Sequence, residues 1–235
     1  MGFAIKYAPQ SLDDVIYSST ALEERIKAYR RGFLDGHIIL HGPNGTGKST
    51  IARLLPHEIV GGIATIEDKD YDDVLNQKDL KGYLKNLCSL NRLSVQNKVF
   101  LVFEEFDNAK VNLNKLWTAM DACSDELQVI ISTNRPMDIH QSIRSRCDPI
   151  AVNKLSASNV LPRAQFILGN EGLHLPDEYV LQYLQTADWK GDIRHYMRML
   201  DALFASQAMA KPLPVVSPRF AANQASFRVV CGGSK

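Results

Sequence analysis

The residues Gly42-Pro43-Asn44-Gly45-Thr46-Gly47-Lys48-Ser49 fit the spacing G-x-x-x-x-G-K-[ST] of a phosphate-binding loop. Glycine at these positions lets the backbone curl until several N–H groups converge on one point, where phosphate oxygens are good acceptors. Lys48 can reach β- and γ-phosphates, and the Ser49 hydroxyl can ligate Mg²⁺. Thr50 belongs to the same first helical turn, whose positive end adds to the attraction for an anion. The loop therefore predicts a site for a nucleoside triphosphate with Mg²⁺, and by itself does not separate kinases, GTPases and ATPases.

A second set of residues narrows the chemistry. Val99-Phe100-Leu101-Val102-Phe103 is an unbroken apolar run that leads directly into Glu104-Glu105-Phe106-Asp107. A carboxylate at the end of a buried strand beside the loop strand can hold the metal through water. The carboxylate next to it can polarise the attacking water. On that scheme Glu104 serves Mg²⁺ and Glu105 is the general base, so the expected reaction is ATP hydrolysis.

These groups need elements to carry them. His37-Ile38-Ile39-Leu40-His41 reads as a short strand before the loop, and Lys48 to Leu55 as a helix that Pro56 ends or kinks. Ile63 to Ile66 reads as a second strand, and the segment from Asp79 to Leu90 as a helix. Lys98 to Phe103 and Gln128 to Ser132 read as central strands, being apolar on both faces. Between them Leu113, Leu116, Trp117 and Met120 mark one stripe of a helix. Such alternation predicts an α/β domain, residues 1–150, with a parallel sheet flanked by helices. Three helices follow, Ser156 to Gly169, Pro176 to Ala187 and Asp192 to about Ala208, which suit a small helical lid over residues 151–208. Pro212, Pro214 and Pro218 break any further helix, and residues 209–235 read as a flexible proline-containing tail.

Composition excludes other classes. The chain has 235 residues, 45% apolar and 23% charged, with a net charge of +1, which is the balance of a globular domain with a real core. No apolar run approaches the roughly 20 residues of a membrane span, and Met1-Gly2-Phe3-Ala4-Ile5-Lys6 does not resemble a secretion signal. A cytoplasmic protein without a membrane partner is expected. The four cysteines, Cys88, Cys123, Cys147 and Cys231, form no C-x-x-C pair and read as reduced thiols. The six histidines show no ligand spacing.

The ordered series Lys6-Tyr7-Ala8-Pro9, Leu12-Asp13-Asp14-Val15, the phosphate loop, Glu104-Glu105-Phe106-Asp107, Ser132-Thr133-Asn134, Ser145-Arg146-Cys147 and Gly191-Asp192-Ile193-Arg194 resembles the AAA+ ATPase subunits of sliding-clamp loaders. Replication factor C small subunits and the equivalent phage subunit are the nearest in pattern, over about residues 4 to 205. The resemblance implies a P-loop AAA+ fold with a helical lid. It implies that Tyr7 and Pro9 line the adenine pocket, that Asn134 is sensor 1, and that Arg194 is sensor 2, touching γ-phosphate from the lid. Arg146 would be an arginine finger that completes the ATP site of a neighbouring subunit.

The same resemblance implies a homo- or hetero-oligomer of AAA+ subunits in a ring or spiral, on double-stranded or primer–template DNA, with a sliding clamp as a further partner. Lys110 and Lys115 would then face the duplex backbone. The run from Glu67 to Asp73, five carboxylates against one lysine, would repel phosphate and reads as an exposed loop. The sequence departs from the family in having Glu104 where aspartate is usual, Ala8 where arginine is common, and only the tail where a helical collar domain stands. Two other readings share the core: a helicase-loader or transposition-type regulator, and a weakly hydrolysing ATP-gated scaffold.

Overall fold

The computed structural model describes residues 2–62, 64–67, 77–91, 98–106 and 113–210. In chain order the elements are α1 (Phe3–Lys6), α2 (Thr20–Arg30), β1 (His37–His41), α3 (Lys48–Val60), β2 (Thr65–Glu67), α4 (Leu80–Asn91), β3 (Val99–Phe103), α5 (Leu113–Ala122), β4 (Leu127–Thr133), α6 (Gln141–Arg144), β5 (Cys147–Ala151), α7 (Ala157–Asn170), α8 (Asp177–Gln185) and α9 (Ile193–Ala210). Short 3₁₀ turns lie at Leu12–Asp14 and Pro136–Asp138.

The five strands form one sheet in the order β2-β3-β4-β1-β5, with every neighbouring pair parallel. Strand periodicity sends alternate side chains to opposite faces. Val99, Leu101 and Phe103 thus meet Leu84 of α4 and Leu116 and Met120 of α5 in one core. Phe100 and Val102 meet Ile26 of α2 and Ile51 and Leu55 of α3 in another. A third core joins α7, α8 and α9 through Val160, Leu184 and Tyr196, and it takes in Phe3 from the start of the chain. The Phe3 backbone N–H also donates to Asp201 Oδ1 on α9 at 3.0 Å. The first residues are therefore anchored on the last helical layer.

One local expectation needs correction, and one strand was not anticipated. Helix α3 neither ends nor breaks at Pro56; it runs on to Val60 and stops at Gly61, which adopts the left-handed φ of 66°. Proline there removes one backbone donor. Pro56 is itself buried, and Ile59 and Val60 beyond it pack on the sheet core, which offsets the loss. The unanticipated strand is β5, which has no apolar run to announce it. Cys147-Asp148-Pro149-Ile150-Ala151 pairs with β1 at the edge of the sheet, where proline costs no inward hydrogen bond. Of the expected second strand, Ile63 lies outside the described residues, as do Asp107, Lys110, residues 68–73 and everything after Ala210; of the expected tail, residues 209 and 210 belong to α9 and the rest lies outside.

Candidate nucleotide site

The phosphate loop leaves the carboxyl end of β1 and enters the amino end of α3, the position at which parallel sheets offer a crevice. Gly42 donates its N–H to Thr133 O at 3.3 Å and has a φ of 144°. A Cβ at Gly42 would lie 2.2 Å from the Val152 carbonyl oxygen, so only glycine fits between β1 and the strand beside it. Gly47, at φ 94°, is the N-cap of α3, with open space where a side chain would point. Here the helix begins, and the unpaired N–H groups of a first helical turn suit an anion. The side chain of Lys48 is buried, and its Nζ donates to Gly42 O at 2.9 Å and to Pro43 O at 2.6 Å. The ammonium is thus held inside the loop it serves.

The carboxyl ends of β3 and β4 close the crevice. Glu105 has a φ of 50°, the one non-glycine positive φ among the described residues. An L-residue in this region costs roughly 1–2 kcal/mol. The turn is held by Phe106, which is buried against Phe103 and donates its N–H to Ser132 O at 3.0 Å. The Glu105 N–H reaches Ser132 Oγ at 3.3 Å. Because Phe106 must turn inward, Glu105 is forced outward, and its side chain lines a polar chamber of about 280 Å³ with Lys48, Ser49, Asn134 and Arg194. Residues 44–50 of the loop line it too, so ten of the expected site residues are brought together.

The chamber opens into an apolar cavity of about 230 Å³ lined by Tyr7, Ala8, Pro9, Val15, Ile16 and Met197 among others. Thr46, Gly47, Thr50, Ile193 and Arg194 border both spaces. An apolar slot suited to a flat base beside a polar chamber suited to phosphates fits a nucleoside triphosphate. For a divalent cation the chamber offers the Ser49 hydroxyl and the Glu105 carboxylate, a donor set that suits Mg²⁺, which keeps most of its waters and takes few protein ligands.

Glu104 is not at the place expected for it. It does not line the chamber, and its carboxylate is ion-paired with Arg53 on α3. One methylene more than aspartate gives it the reach to do so. Arg146 also lies apart from the chamber. Because β5 runs parallel to β1, with His37 opposite Cys147, Arg146 sits at the end of the sheet away from the phosphate loop. Its guanidinium is held by Asp121. Lys115 Nζ donates to Gln77 O at 2.9 Å, beside Lys78 and Lys81 in a shallow groove.

Sequence reasoning missed the residues that bind the base cavity to the helical layer. Arg163 of α7 donates to Asp14 Oδ1 at 3.0 Å and to Tyr7 O at 3.3 Å. Tyr7 Oη donates to Glu171 Oε1 at 2.6 Å, and Lys6 Nζ pairs with the same oxygen. These donors, Lys6 first, hold the Glu171 carboxyl below its ordinary range. Ile193, at the start of α9, donates its N–H to Gly45 O at 2.9 Å, so the helical layer touches the phosphate loop directly. Partners so far apart in sequence leave no periodic trace.

Comparison with known proteins agrees with this geometry. Residues 38–155 match the family described as "ATPase family associated with various cellular activities (AAA)". The chain belongs to that AAA family of ATPases. It is 28% identical to the replication factor C small subunit of Aeropyrum pernix, over 89% of this chain and 68% of that protein. It is 26% identical to replication factor C small subunit 2 of Pyrobaculum arsenaticum, over 91% of this chain and 68% of that protein. Among solved structures, the Thermotoga maritima RuvB Holliday junction branch migration motor superposes with a TM-score of 0.64 at 17% identity, covering 86% of this chain and 66% of that one, which is a likeness of fold. The chain spans about two thirds of the length of these relatives. Among the described residues no helix is long and apolar enough to cross a membrane.

Proposed function

We propose that this ATPase works as one subunit of an oligomeric motor of the clamp-loader type, with each ATP site shared between two subunits. The observation that carries the reading is the separation of Arg146 from the phosphate loop of its own chain. The register of β1 with β5 puts roughly 13 Å of strand between them, and the side chain is turned to Asp121. A guanidinium so placed serves a phosphate on another molecule.

Within one subunit, the N–H groups of residues 44–49 and the Lys48 ammonium take the β- and γ-phosphates. Tyr7 and Pro9 flank the base, and Ser49 faces the metal. Glu105 accepts a proton from the attacking water, and Asn134 orients that water. Arg194 reports γ-phosphate to the helical lid of residues 151–208, whose α9 already touches Gly45. Mg²⁺, when bound, neutralises charge on the phosphate oxygens. Arg146 of the adjacent subunit stabilises the charge that develops in the transition state. The groove with Lys78, Lys81 and Lys115 is the face offered to a DNA backbone, and a sliding clamp is the further partner this reading names.

The test is ATP turnover per subunit against protein concentration, with and without primer–template DNA. The reading requires turnover that rises with concentration and that DNA sharpens. Flat turnover insensitive to both would defeat it. One observation favours a second reading, an ATP-gated scaffold of low turnover: Glu104 is engaged by Arg53 rather than facing the chamber. Tight ATP binding with near-zero turnover in every assembled state would select it.

A further inference from the structure

The Arg146 side chain is held in a definite pose by its own chain. Its Nε donates to Asp121 Oδ1 at 2.6 Å and its Nη2 to Asp121 Oδ2 at 2.7 Å, a two-bonded fork on one carboxylate. Its Nη1 donates to Ser142 O at 2.7 Å, and its backbone N–H donates to Ile143 O at 3.0 Å. Three of the five guanidinium N–H groups are thus spent, and one remains on each terminal nitrogen. N–H groups on the terminal nitrogens are donors a phosphate accepts from arginine.

Asp121 itself is oddly placed for stability. It lies in the last turn of α5, where the negative end of the helix disfavours a carboxylate. Its side chain is 54% exposed, and an ion pair at such exposure adds little to folding. What the pair does supply is orientation. Arginine is long and rotamer-rich, and one left free must be ordered each time it reaches into a neighbour's site.

We infer that Asp121 is a positioning residue for Arg146: it fixes the partly exposed guanidinium in one pose, leaving an N–H on each terminal nitrogen for a phosphate bound on the adjacent subunit. This rests on the trans role of Arg146 proposed above. The carboxylate never touches nucleotide, so its loss falls on the rate and leaves binding alone.

Steady-state turnover of the full chain, at concentrations where the wild type is active, tests this with Asp121→Ala, Asp121→Asn, Asp121→Glu, Arg146→Ala and the double change of both residues to alanine. Asp121→Ala should lower kcat about tenfold, the cost of ordering a freed arginine, with KM for ATP unchanged. Asp121→Glu should recover most of the rate, and Asp121→Asn should fall between. In the Arg146→Ala background, removing Asp121 should cost nothing more. Wild-type turnover in both Asp121→Ala and Asp121→Asn, beside an inactive Arg146→Ala, would overturn the positioning role while leaving the trans role standing. Faster turnover without the carboxylate would overturn it too, since Asp121 would then withhold the arginine. Wild-type turnover in Arg146→Ala would remove both readings.

Discussion

The same strands end in two different ways. At their carboxyl ends β1, β3 and β4 bring the phosphate loop, Glu105 and Asn134 to one chamber, and the helical layer closes over it through Ile193 and Arg194. Near their amino ends lie His37 of β1, Arg146 just before β5, and Asp121 of α5, which holds Arg146. On the proposed reading the first end binds the triphosphate and the second offers a counter-charge to a neighbour's phosphate, so that subunits would join head to tail, as heterologous contacts that generate rings and spirals do.

Substitutions at the two ends should therefore fail differently. Lys48→Ala should have the largest effect, taking turnover to background and weakening ATP binding, as followed by phosphate release and by fluorescent-nucleotide titration. Arg146→Ala should lower turnover by roughly 10³–10⁵ while leaving ATP affinity nearly intact. Mixing it with Lys48→Ala subunits should restore activity at those sites where an intact loop meets an intact arginine, and no recovery at any ratio would refute the division of labour. Glu105→Gln should slow hydrolysis roughly 10²–10⁴-fold and leave ATP-bound assemblies trapped, visible as a stable larger species by light scattering.

Smaller effects concern stability. His37 is buried at the Arg146 end, where its Nδ1 accepts the Val129 N–H at 3.0 Å. Burial, with Lys98 nearby, pushes its pKa down from the ordinary 6.5 to about 4. Between those values the unfolded chain binds the proton and the native one does not, so stability falls as pH drops from about 6.5 towards 4, by on the order of 3 kcal/mol. Denaturant midpoints across that window should show the slope, and His37→Asn, which keeps an acceptor without the titration, should flatten it. At the other end, Glu105→Gly should remove the cost of a left-handed L-residue and raise stability by up to about 1 kcal/mol while abolishing turnover. A loss of stability there would mean that the Glu105 side chain contributes more than its backbone costs.

Much of the phosphate-loop end is legible in the sequence, because its signals are local. The phosphate loop is contiguous, β3 runs directly into Glu104 and Glu105, and Asn134 follows β4 at once. What escaped was whatever depends on packing. Glu104 was expected at the metal, yet the partner that turns it away, Arg53, lies on another element. The base cavity was expected from Tyr7 and Pro9, but the Arg163 and Glu171 side chains that tie that segment to the helices stand more than 150 residues away. The edge strand β5, with a proline in its centre, copies neither the period of a strand nor that of a helix.

The sequence by itself determined the chemistry on offer: a loop that can bind triphosphate, paired carboxylates after a buried strand, and the alternation that makes a parallel sheet. Those features are set by residues close together in the chain, where spacing alone fixes which groups share a turn or a face. Only the tertiary structure decided which carboxylate faces the chamber, how the first residues and the last helices share a cavity, and that Arg146 stands a strand's length from its own phosphate loop in the grip of Asp121. Those outcomes depend on strand order and on side chains meeting across the fold, and no periodicity in the chain encodes them.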